Sequence, residues 1–204
     1  MSARTYLALG DSYTIGEGVP LASSWPHQLV DQLIKTGISI REPTIVAQTG
    51  WTTSNLIQAI ETHALQYTYD VVSLLIGVNN QYQGLKLSRY DEEFEQLLSR
   101  ALELAGGNSK RVMVLSIPDW GLTPFALDRD TTTVSREINA FNEVNRSITE
   151  KKQVTYIDVK TLSDRYMANQ EYLVEDGLHP NHELYSLWVE LILKENPLFR
   201  ESSK

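Results

Sequence analysis

Val71-Val72-Ser73-Leu74-Leu75-Ile76 is an almost unbroken apolar run of strand length, and Gly77 follows it. A strand that is apolar on both faces is expected in a parallel sheet covered by helices on both sides. We therefore interpret residues 71–76 as the central strand of such a sheet. On either side along the chain, short β-favouring runs alternate with longer segments of helical period, which is typical of a βαβ protein with a mostly parallel sheet.

The other elements follow from this periodicity and from capping residues. Further strands are predicted over Tyr6–Leu9, Thr44–Gln48, Arg111–Ile117 and Val154–Val159. Helices are predicted over Ser24–Lys35, from Thr53 or Ser54 through Ala64 and Leu65, and over Asp91–Leu104, Ser135–Thr149 and Leu184–Leu193. The two long connections, residues 118–133 and 160–181, are candidate active-site loops, because loops of about 12–15 residues or more usually have a function in compact domains.

The composition restricts the fold and the chemistry. At 204 residues, the chain is expected to form a single domain over residues 1–204. It contains no cysteine, which excludes disulfides, thiolate nucleophiles and cysteine-ligated metal sites. Any catalysis therefore uses oxygen or nitrogen nucleophiles.

Charge and hydropathy restrict the partners. The formal net charge is −8, and the lysines and arginines are scattered, so nucleic acid is not an expected partner. No window approaches the ~20 apolar residues that span a bilayer, so membrane insertion is not expected either. The first residues lack a signal-peptide core, and we expect a cytoplasmic location unless a leader has been removed. No feature of the sequence indicates an oligomeric state.

The strand exits carry the candidate functional residues, because an open parallel sheet binds ligands outside the carboxyl ends of its strands. The segments after the five predicted strands are Gly10-Asp11-Ser12-Tyr13-Thr14, Gln48-Thr49-Gly50-Trp51, Gly77-Val78-Asn79-Asn80, Pro118-Asp119-Trp120-Gly121 and Asp176-Gly177-Leu178-His179-Pro180-Asn181. Ester hydrolysis needs a nucleophilic hydroxyl, a base, a group that orients the base, and donors for the developing oxyanion. These segments contain all four kinds of group.

At these positions the chain resembles the SGNH, or GDSL-type, esterase and lipase superfamily. Gly10-Asp11-Ser12 is similar to its first sequence block, Gly50 to the second, Gly77-x-Asn79 to the third, and Asp176-x-x-His179 to the fourth. The four blocks occur in the family's order over nearly the whole chain. The resemblance implies an α/β fold, a three-layer α/β/α sandwich around a five-stranded parallel sheet with the flavodoxin-like order 2-1-3-4-5.

The resemblance also implies roles for these residues. Ser12 would be the nucleophile, His179 its base, and Asp176 the group that orients the imidazole. The backbone N–H groups of Ser12 and Gly50 and the side-chain amide of Asn79 would form the oxyanion hole. Glycine suits the second block because a side chain there would crowd the reacting carbonyl. The implied substrates are small acyl, lipid-like or acetyl-sugar esters, and no cofactor is expected.

Two residues depart from the family's pattern, and one absent motif argues against a related fold. Asn80 stands where the third block usually has Asp, which puts local hydrogen bonding in doubt more than the chemistry. Tyr13 replaces the Leu of the family's name. No Gly-x-Ser-x-Gly motif surrounds Ser12, which argues against the larger α/β-hydrolase fold and its nucleophile elbow.

Other residues near the strand exits are candidates for the substrate pocket or for a metal. Four aromatic residues could line an acyl or sugar pocket, namely Trp51, Tyr82, Trp120 and Phe125. His182 forms a His-x-x-His pair with His179, but no third ligand accompanies the pair, and no metal site is expected.

Two other interpretations stay open at this point. The chain could be a flavodoxin-like module that binds a ligand without chemistry, although the loop after Leu9 lacks the Ser/Thr-rich phosphate cradle of a flavodoxin. It could also be a degenerate SGNH protein that has kept the fold and lost activity, for which Asn80 is the only hint. Taken singly, Ser12 as a helix cap, Gly50 as a turn residue and Asn79 as an Asx-turn residue are ordinary structural features.

Overall fold

A computed structural model describes residues 2–200 of the chain, and its centre is a five-stranded parallel sheet with the order β2-β1-β3-β4-β5. The strands are β1 (Tyr6–Gly10), β2 (Thr44–Ala47), β3 (Val71–Leu75), β4 (Val112–Leu115) and β5 (Thr155–Ile157). Both the parallel sheet and its order agree with the prediction, which is confirmed.

The apolar run around residue 71 forms the middle of this sheet. Every residue of β3 is buried, and so is every residue of β1 beside it. In the register of the three neighbouring strands, Gly10 lies between Ala47 of β2 and Leu75 of β3. The chain leaves β1 in one direction to form β2 and later returns past it to form β3. The exits of β1 and β3 therefore lie side by side, at the point where the strand order reverses.

Helices cover both faces of the sheet. One layer contains α2 and α8, which pack against each other, and the other contains α3, α5 and α6. The nine helices in residues 2–200 are α1 (Ser12–Ile15), α2 (Trp25–Lys35), α3 (Thr53–Thr62), α4 (Val78–Tyr82), α5 (Leu87–Leu104), α6 (Thr131–Lys151), α7 (Val159–Ser163), α8 (His182–Glu195) and α9 (Pro197–Arg200). Short 3₁₀ turns occur at Leu21–Ser23, Ser109–Arg111, Trp120–Leu122, Pro124–Ala126 and Gln170–Tyr172.

Several predicted boundaries were wrong. The helix predicted through Leu65 ends at Thr62, because His63 takes extended dihedral angles and its Nδ1 lies 2.7 Å from the carbonyl oxygen of Ala59. The fourth strand excludes Arg111, which belongs to a 3₁₀ turn, and the fifth excludes Val159, which begins α7 with Asp158 as its cap.

Both long connections contain short helical turns, so neither is an irregular loop throughout. Within the part of the chain that the structure describes, no helix is both long enough and apolar enough to cross a bilayer. The single domain over residues 1–204 and the cytoplasmic location stay predictions, and residues 1 and 201–204 of that domain lie outside the described residues.

Candidate active site

Ser12 lies at the exit of β1, at the first position of the short helix α1. Asp11 caps this helix, and its Oδ1 accepts a hydrogen bond of 3.1 Å from the backbone N–H of Tyr13. The turn from strand to helix is close-packed: a Cβ atom at Gly10 would lie 2.5 Å from the carbonyl oxygen of Leu75 and closer still to the Thr14 side chain. Glycine is therefore required at position 10 by close approach, and Ser12 is held in a buried position with 5% exposure.

His179 lies within hydrogen-bond distance of Ser12. Its Nε2 is 3.0 Å from Ser12 Oγ, although 167 residues separate the two in sequence. Its Nδ1 is 2.6 Å from Asp176 Oδ2. The three side chains that the sequence nominated as nucleophile, base and orienting group thus form one hydrogen-bonded series.

The Asp176–His179 pair is built locally, within a single turn. Asp176 Oδ1 accepts hydrogen bonds from the backbone N–H groups of Leu178, at 2.8 Å, and of His179, at 3.0 Å. Partial burial acts to raise the pKa of Asp176, but these hydrogen bonds and the one from the imidazole outweigh it and hold the pKa below its ordinary value. The Asp176 carboxylate is therefore ionised at neutral pH, with its side chain 40% exposed.

The Tyr13 ring packs against the imidazole from the core side. The ring centroids of Tyr13 and His179 are 5.4 Å apart, and Tyr13 is also 6.3 Å from the ring of Trp188 in α8. Tyr13 is 1% exposed. At the position where the family's name implies Leu, this chain has a buried aromatic residue beside the His179 ring.

Gly50 and Asn79 line the same cavity as Ser12. Gly50 has a φ of +82°, a left-handed conformation that favours glycine, and a Cβ atom there would meet no protein atom within 4 Å. Two requirements therefore favour glycine at this position: the left-handed backbone conformation and the space that the reacting carbonyl needs.

Each candidate oxyanion donor has an N–H group that no other hydrogen bond uses among the described residues. The Asn79 side-chain nitrogen donates one hydrogen bond of 2.9 Å to the carbonyl oxygen of Trp51, and its second N–H has no partner among the described residues. Asn79 lines the cavity. In residues 2–200 no hydrogen bond uses the backbone N–H of Ser12 or of Gly50.

Residues 8–187 match the family described as GDSL-like Lipase/Acylhydrolase, a range that includes every candidate catalytic residue. This chain belongs to the GDSL-like lipase/acylhydrolase family. It is an enzyme of the carboxylic ester hydrolase class, as the sequence predicted, and the interpretation as a binding module without chemistry is set aside.

Individual proteins resemble this chain over nearly its whole length. It is 24% identical to an arylesterase of Vibrio mimicus over 191 residues, which cover 93% of this chain and 86% of that protein. The crystal structure of TesA superposes with a TM-score of 0.76 at 19% identity, covering 96% of this chain and 99% of that one. Axe2-W215I, an acetyl xylan esterase from Geobacillus stearothermophilus, gives a TM-score of 0.74 at 18% identity, covering 97% of this chain and 96% of that one. The two structural similarities show the shared fold.

Asn80 of the GDSL-like hydrolase is fully buried and joins the exit of β3 to the start of α3. Its Oδ1 accepts a hydrogen bond of 3.0 Å from the Thr53 backbone N–H, and its Nδ2 donates one of 2.6 Å to Thr53 Oγ1. That hydroxyl in turn donates to the carboxylate of Glu93 in α5. Asn80 therefore acts as donor and acceptor at once, which an aspartate could not do, and the local network that the departure put in doubt is complete.

A cavity of about 190 Å³ opens beside Ser12 and His179. Three of the four predicted pocket aromatics line it, namely Tyr82, Trp120 and Phe125, with ring centroids 5.4–6.4 Å apart. The fourth, Trp51, does not line it, because its side chain packs against the hydrophobic core. A larger hollow of about 400 Å³ between α3 and α5 contains none of the candidate catalytic residues.

Sequence reasoning missed several residues at this site. Four further residues line the cavity, namely Tyr13, Thr49, Val78 and Leu178. Gln81 lies behind it, where its Oε1 accepts a hydrogen bond of 2.7 Å from the indole N–H of Trp120. All four belong to the strand-exit segments already singled out, which was the available signal, whereas nothing in the sequence marks Gln81.

Asp11, next to the nucleophile, is a buried carboxyl group. Burial raises its pKa to about 7, against the opposing hydrogen bond from Tyr13. Its Oδ2 has no hydrogen-bond partner among the described residues. Asp11 and Asp176 thus flank the site with pKa values displaced in opposite directions.

His182, the other member of the His-x-x-His pair, lies in a different environment from His179. Its Nδ1 is 3.2 Å from Gln28 Nε2 of α2. Over residues 2–200, no cluster of three or more His, Asp or Glu side chains is arranged to hold a metal ion.

Proposed function

We propose that the GDSL-like hydrolase cleaves small carboxylic esters through an acyl-enzyme on Ser12. The observation that carries this proposal is the 3.0 Å separation of Ser12 Oγ and His179 Nε2, with Asp176 Oδ2 2.6 Å from the other imidazole nitrogen. These are the distances at which a base takes a proton from a nucleophile and a carboxylate orients the base.

Acylation follows from this geometry. Ser12 Oγ attacks the ester carbonyl carbon while its proton passes to His179 Nε2. The carbonyl oxygen becomes an oxyanion, which accepts hydrogen bonds from the backbone N–H groups of Ser12 and Gly50 and from the free N–H of Asn79. The imidazolium then gives its proton to the leaving alcohol as the carbon–oxygen bond breaks, and Asp176 stabilises the positive charge while it lasts.

Deacylation repeats these steps with water as the nucleophile. His179 takes a proton from water, the resulting tetrahedral intermediate uses the same three donors, and the carboxylic acid leaves as Ser12 regains its proton. The 5% exposure of Ser12 and the apolar walls of the cavity keep the reacting carbonyl in a largely desolvated site, where these hydrogen bonds are stronger than in water.

The arylesterase of Vibrio mimicus and the acetyl xylan esterase Axe2-W215I support small acyl esters of phenols and acetylated sugars as the first substrates to test. The proposal is tested with p-nitrophenyl acetate. Ser12→Ala should lower kcat by at least about 10⁴-fold. Ser39→Ala, at an exposed serine outside the site, is the matched control and should keep full activity. Equal rates for wild type and Ser12→Ala would remove Ser12 from the mechanism.

A further inference from the structure

We propose that the GDSL-like hydrolase is selective for acyl groups of about six carbons or fewer, and that Gln81 sets this limit by fixing Trp120 as the end wall of the acyl pocket. The inference rests on the proposed acyl-enzyme at Ser12 and specifies which acyl groups that enzyme accepts. Gln81 acts through Trp120 and is a positioning residue.

The cavity beside Ser12 is small. Its volume of about 190 Å³ lies below the roughly 300–1,000 Å³ of pockets that hold drug-sized ligands. It is slightly larger than the roughly 150 Å³ that accommodates a benzene ring in a protein interior. Since the reacting carbonyl occupies the same cavity, a short aliphatic acyl group fills the space that is left.

The position of His179 determines the orientation of the bound ester. The leaving alcohol must lie on the side of His179, because Nε2 gives it a proton. The acyl group then points away from His179, past Asn79, and toward the aromatic walls. Tyr82 is three residues after Asn79 on α4 and so lies on the same face of that helix, and its ring contacts that of Trp120 with a centroid separation of 5.4 Å. Tyr82 and Trp120 therefore face the acyl chain.

The three aromatic walls of the cavity differ in their exposure to solvent. Tyr82 and Phe125 are 47% and 42% exposed, whereas Trp120 is only 4% exposed. Outside the aromatic cluster, the Tyr82 ring contacts the guanidinium of Arg129, an exposed residue, 5.9 Å from the ring centroid. Tyr82 and Phe125, which are partly exposed, can therefore move aside, whereas Trp120, the most deeply buried of the three rings, is the wall that stops the chain.

Hydrogen bonds hold Trp120 in place. Its indole N–H donates 2.7 Å to Gln81 Oε1, and Gln81 Nε2 donates 2.8 Å to Glu137 Oε2 of α6. The backbone of the same turn is also fixed, because Thr123 Oγ1 donates 2.7 Å to the Trp120 carbonyl oxygen. Gln81 is 6% exposed and does not itself line the cavity, so its effect on the substrate is transmitted through the indole ring.

Removing the acceptor should therefore release the wall. In Gln81→Leu the indole N–H would be buried without a partner, which is unfavourable unless the ring turns toward solvent. A turned ring would lengthen the pocket. The chemistry at Ser12, which Gln81 does not contact, would be preserved.

The test measures kcat/KM for p-nitrophenyl acetate, butanoate, hexanoate and octanoate. The wild type should show a fall of about 10-fold or more between hexanoate and octanoate. Gln81→Leu and Trp120→Ala should both reduce this fall to about threefold or less, and in Gln81→Leu acetate hydrolysis should stay within about threefold of wild type. Gln83→Leu, at an exposed glutamine outside the cavity, is the matched control and should keep the wild-type profile.

The outcomes separate this inference from the proposed function. An active wild type with no fall at octanoate, or a Gln81→Leu variant that loses all four activities in equal proportion, would overturn the selectivity inference and leave the acyl-enzyme intact. A wild type that is inactive on every ester counts against the proposed function.

A second readout does not depend on turnover. In NMR spectra, the Trp120 indole N–H resonance is identified by its loss in Trp120→Phe. This resonance should shift when the free carboxylates butanoate and hexanoate are added, but not when octanoate is added. Equal shifts with all three carboxylates would contradict a fixed end wall even in an inactive protein.

Discussion

Ser12 and His179 meet across 3.0 Å, yet the two sides of that contact are built differently. On the nucleophile side, β1 is buried along its length between β2 and β3, and Gly10, Asp11 and Ser12 are enclosed by the sheet and its helices. On the base side, Asp176 and His179 lie three residues apart on a turn, joined by hydrogen bonds that the turn itself provides, with the carboxylate partly in solvent.

This difference implies that the two sides respond differently to substitution. On the base side, a change that removes a hydrogen bond should reduce catalysis while the fold keeps its stability. On the nucleophile side, even small changes should alter the free energy of unfolding, because there the catalytic geometry depends on core packing.

The largest expected effect is on the base side. Asp176→Asn should lower kcat for p-nitrophenyl acetate by about 10³–10⁴-fold, because an amide nitrogen facing Nδ1 favours the wrong tautomer of His179. The melting temperature should change by no more than about 2 °C, since the site is partly exposed. Steady-state kinetics and thermal unfolding of the same sample measure both. Asp128→Asn, on an exposed loop, is the control, and a kcat within tenfold of wild type would contradict the assigned role.

The next effect concerns Asp11, whose pKa is raised to about 7 by burial. Between about pH 4 and pH 7, the folded protein keeps this proton after the unfolded chain has released it, so stability falls as the pH rises through that window and is level above it. A rise of this size corresponds to roughly 4 kcal/mol at most. The lowered pKa of Asp176 acts in the opposite sense, removing stability only as the pH falls below about 4.

Urea unfolding at pH 4.5 and pH 8 isolates the Asp11 contribution. Asp11→Asn keeps an acceptor for the Tyr13 backbone N–H and cannot titrate, so its stability should change much less between the two pH values than that of wild type. Asp128→Asn should retain the wild-type pH dependence. An equal change in the free energy of unfolding between the two pH values in Asp11→Asn and in wild type would show that Asp11 does not titrate in this window.

A smaller loss is expected at Gly10, where a methyl group would collide with the Leu75 carbonyl and the Thr14 side chain. Gly10→Ala should lower the free energy of unfolding by about 3 kcal/mol. Gly37→Ala is a useful contrast, because its φ is +88° but its Cβ would meet nothing within 4 Å, so it reports backbone strain without a collision, at about 1 kcal/mol. Equal losses in the two variants, measured by urea unfolding, would argue against close packing at the exit of β1.

The smallest effect concerns the network that joins the exit of β3 to α3. Asn80→Asp should cost about 1–3 kcal/mol, because a carboxylate cannot donate to Thr53 Oγ1 and the Thr53 hydroxyl already donates to Glu93. Adding Glu93→Gln frees the hydroxyl to donate to the new carboxylate, so the double variant should recover about 1 kcal/mol or more of coupling energy. If the stability losses of the two single variants simply add in the double variant, Asn80 and Glu93 contribute to stability independently.

The same contrast explains how much the sequence could predict. The apolar run at residues 71–76 indicates a strand covered on both faces, and the structure has β3 there. Asp176 and His179 are three residues apart in sequence, so their pairing can be predicted from a local motif. The meeting of Ser12 with His179 across 167 residues came only from the resemblance to a family, because no local pattern encodes it.

Other features lay beyond sequence reasoning for physical reasons. Helices of four and five residues, α1 and α4, are too short to show a 3.6-residue period. The end of α3 at Thr62 depends on a side-chain contact of His63. Gln81 is meaningful only through its hydrogen bond to Trp120, 39 residues away.

Covalent labelling tests the central claim, that Ser12 is a nucleophile activated by His179, most directly. Wild-type protein treated with an alkyl fluorophosphonate should gain the mass of one phosphonyl group, which peptide mass spectrometry should localise to Ser12. Ser12→Ala should gain none, and His179→Ala should react at least about 10³-fold more slowly. A label on another residue, or equal labelling rates in wild type and His179→Ala, would contradict the claim.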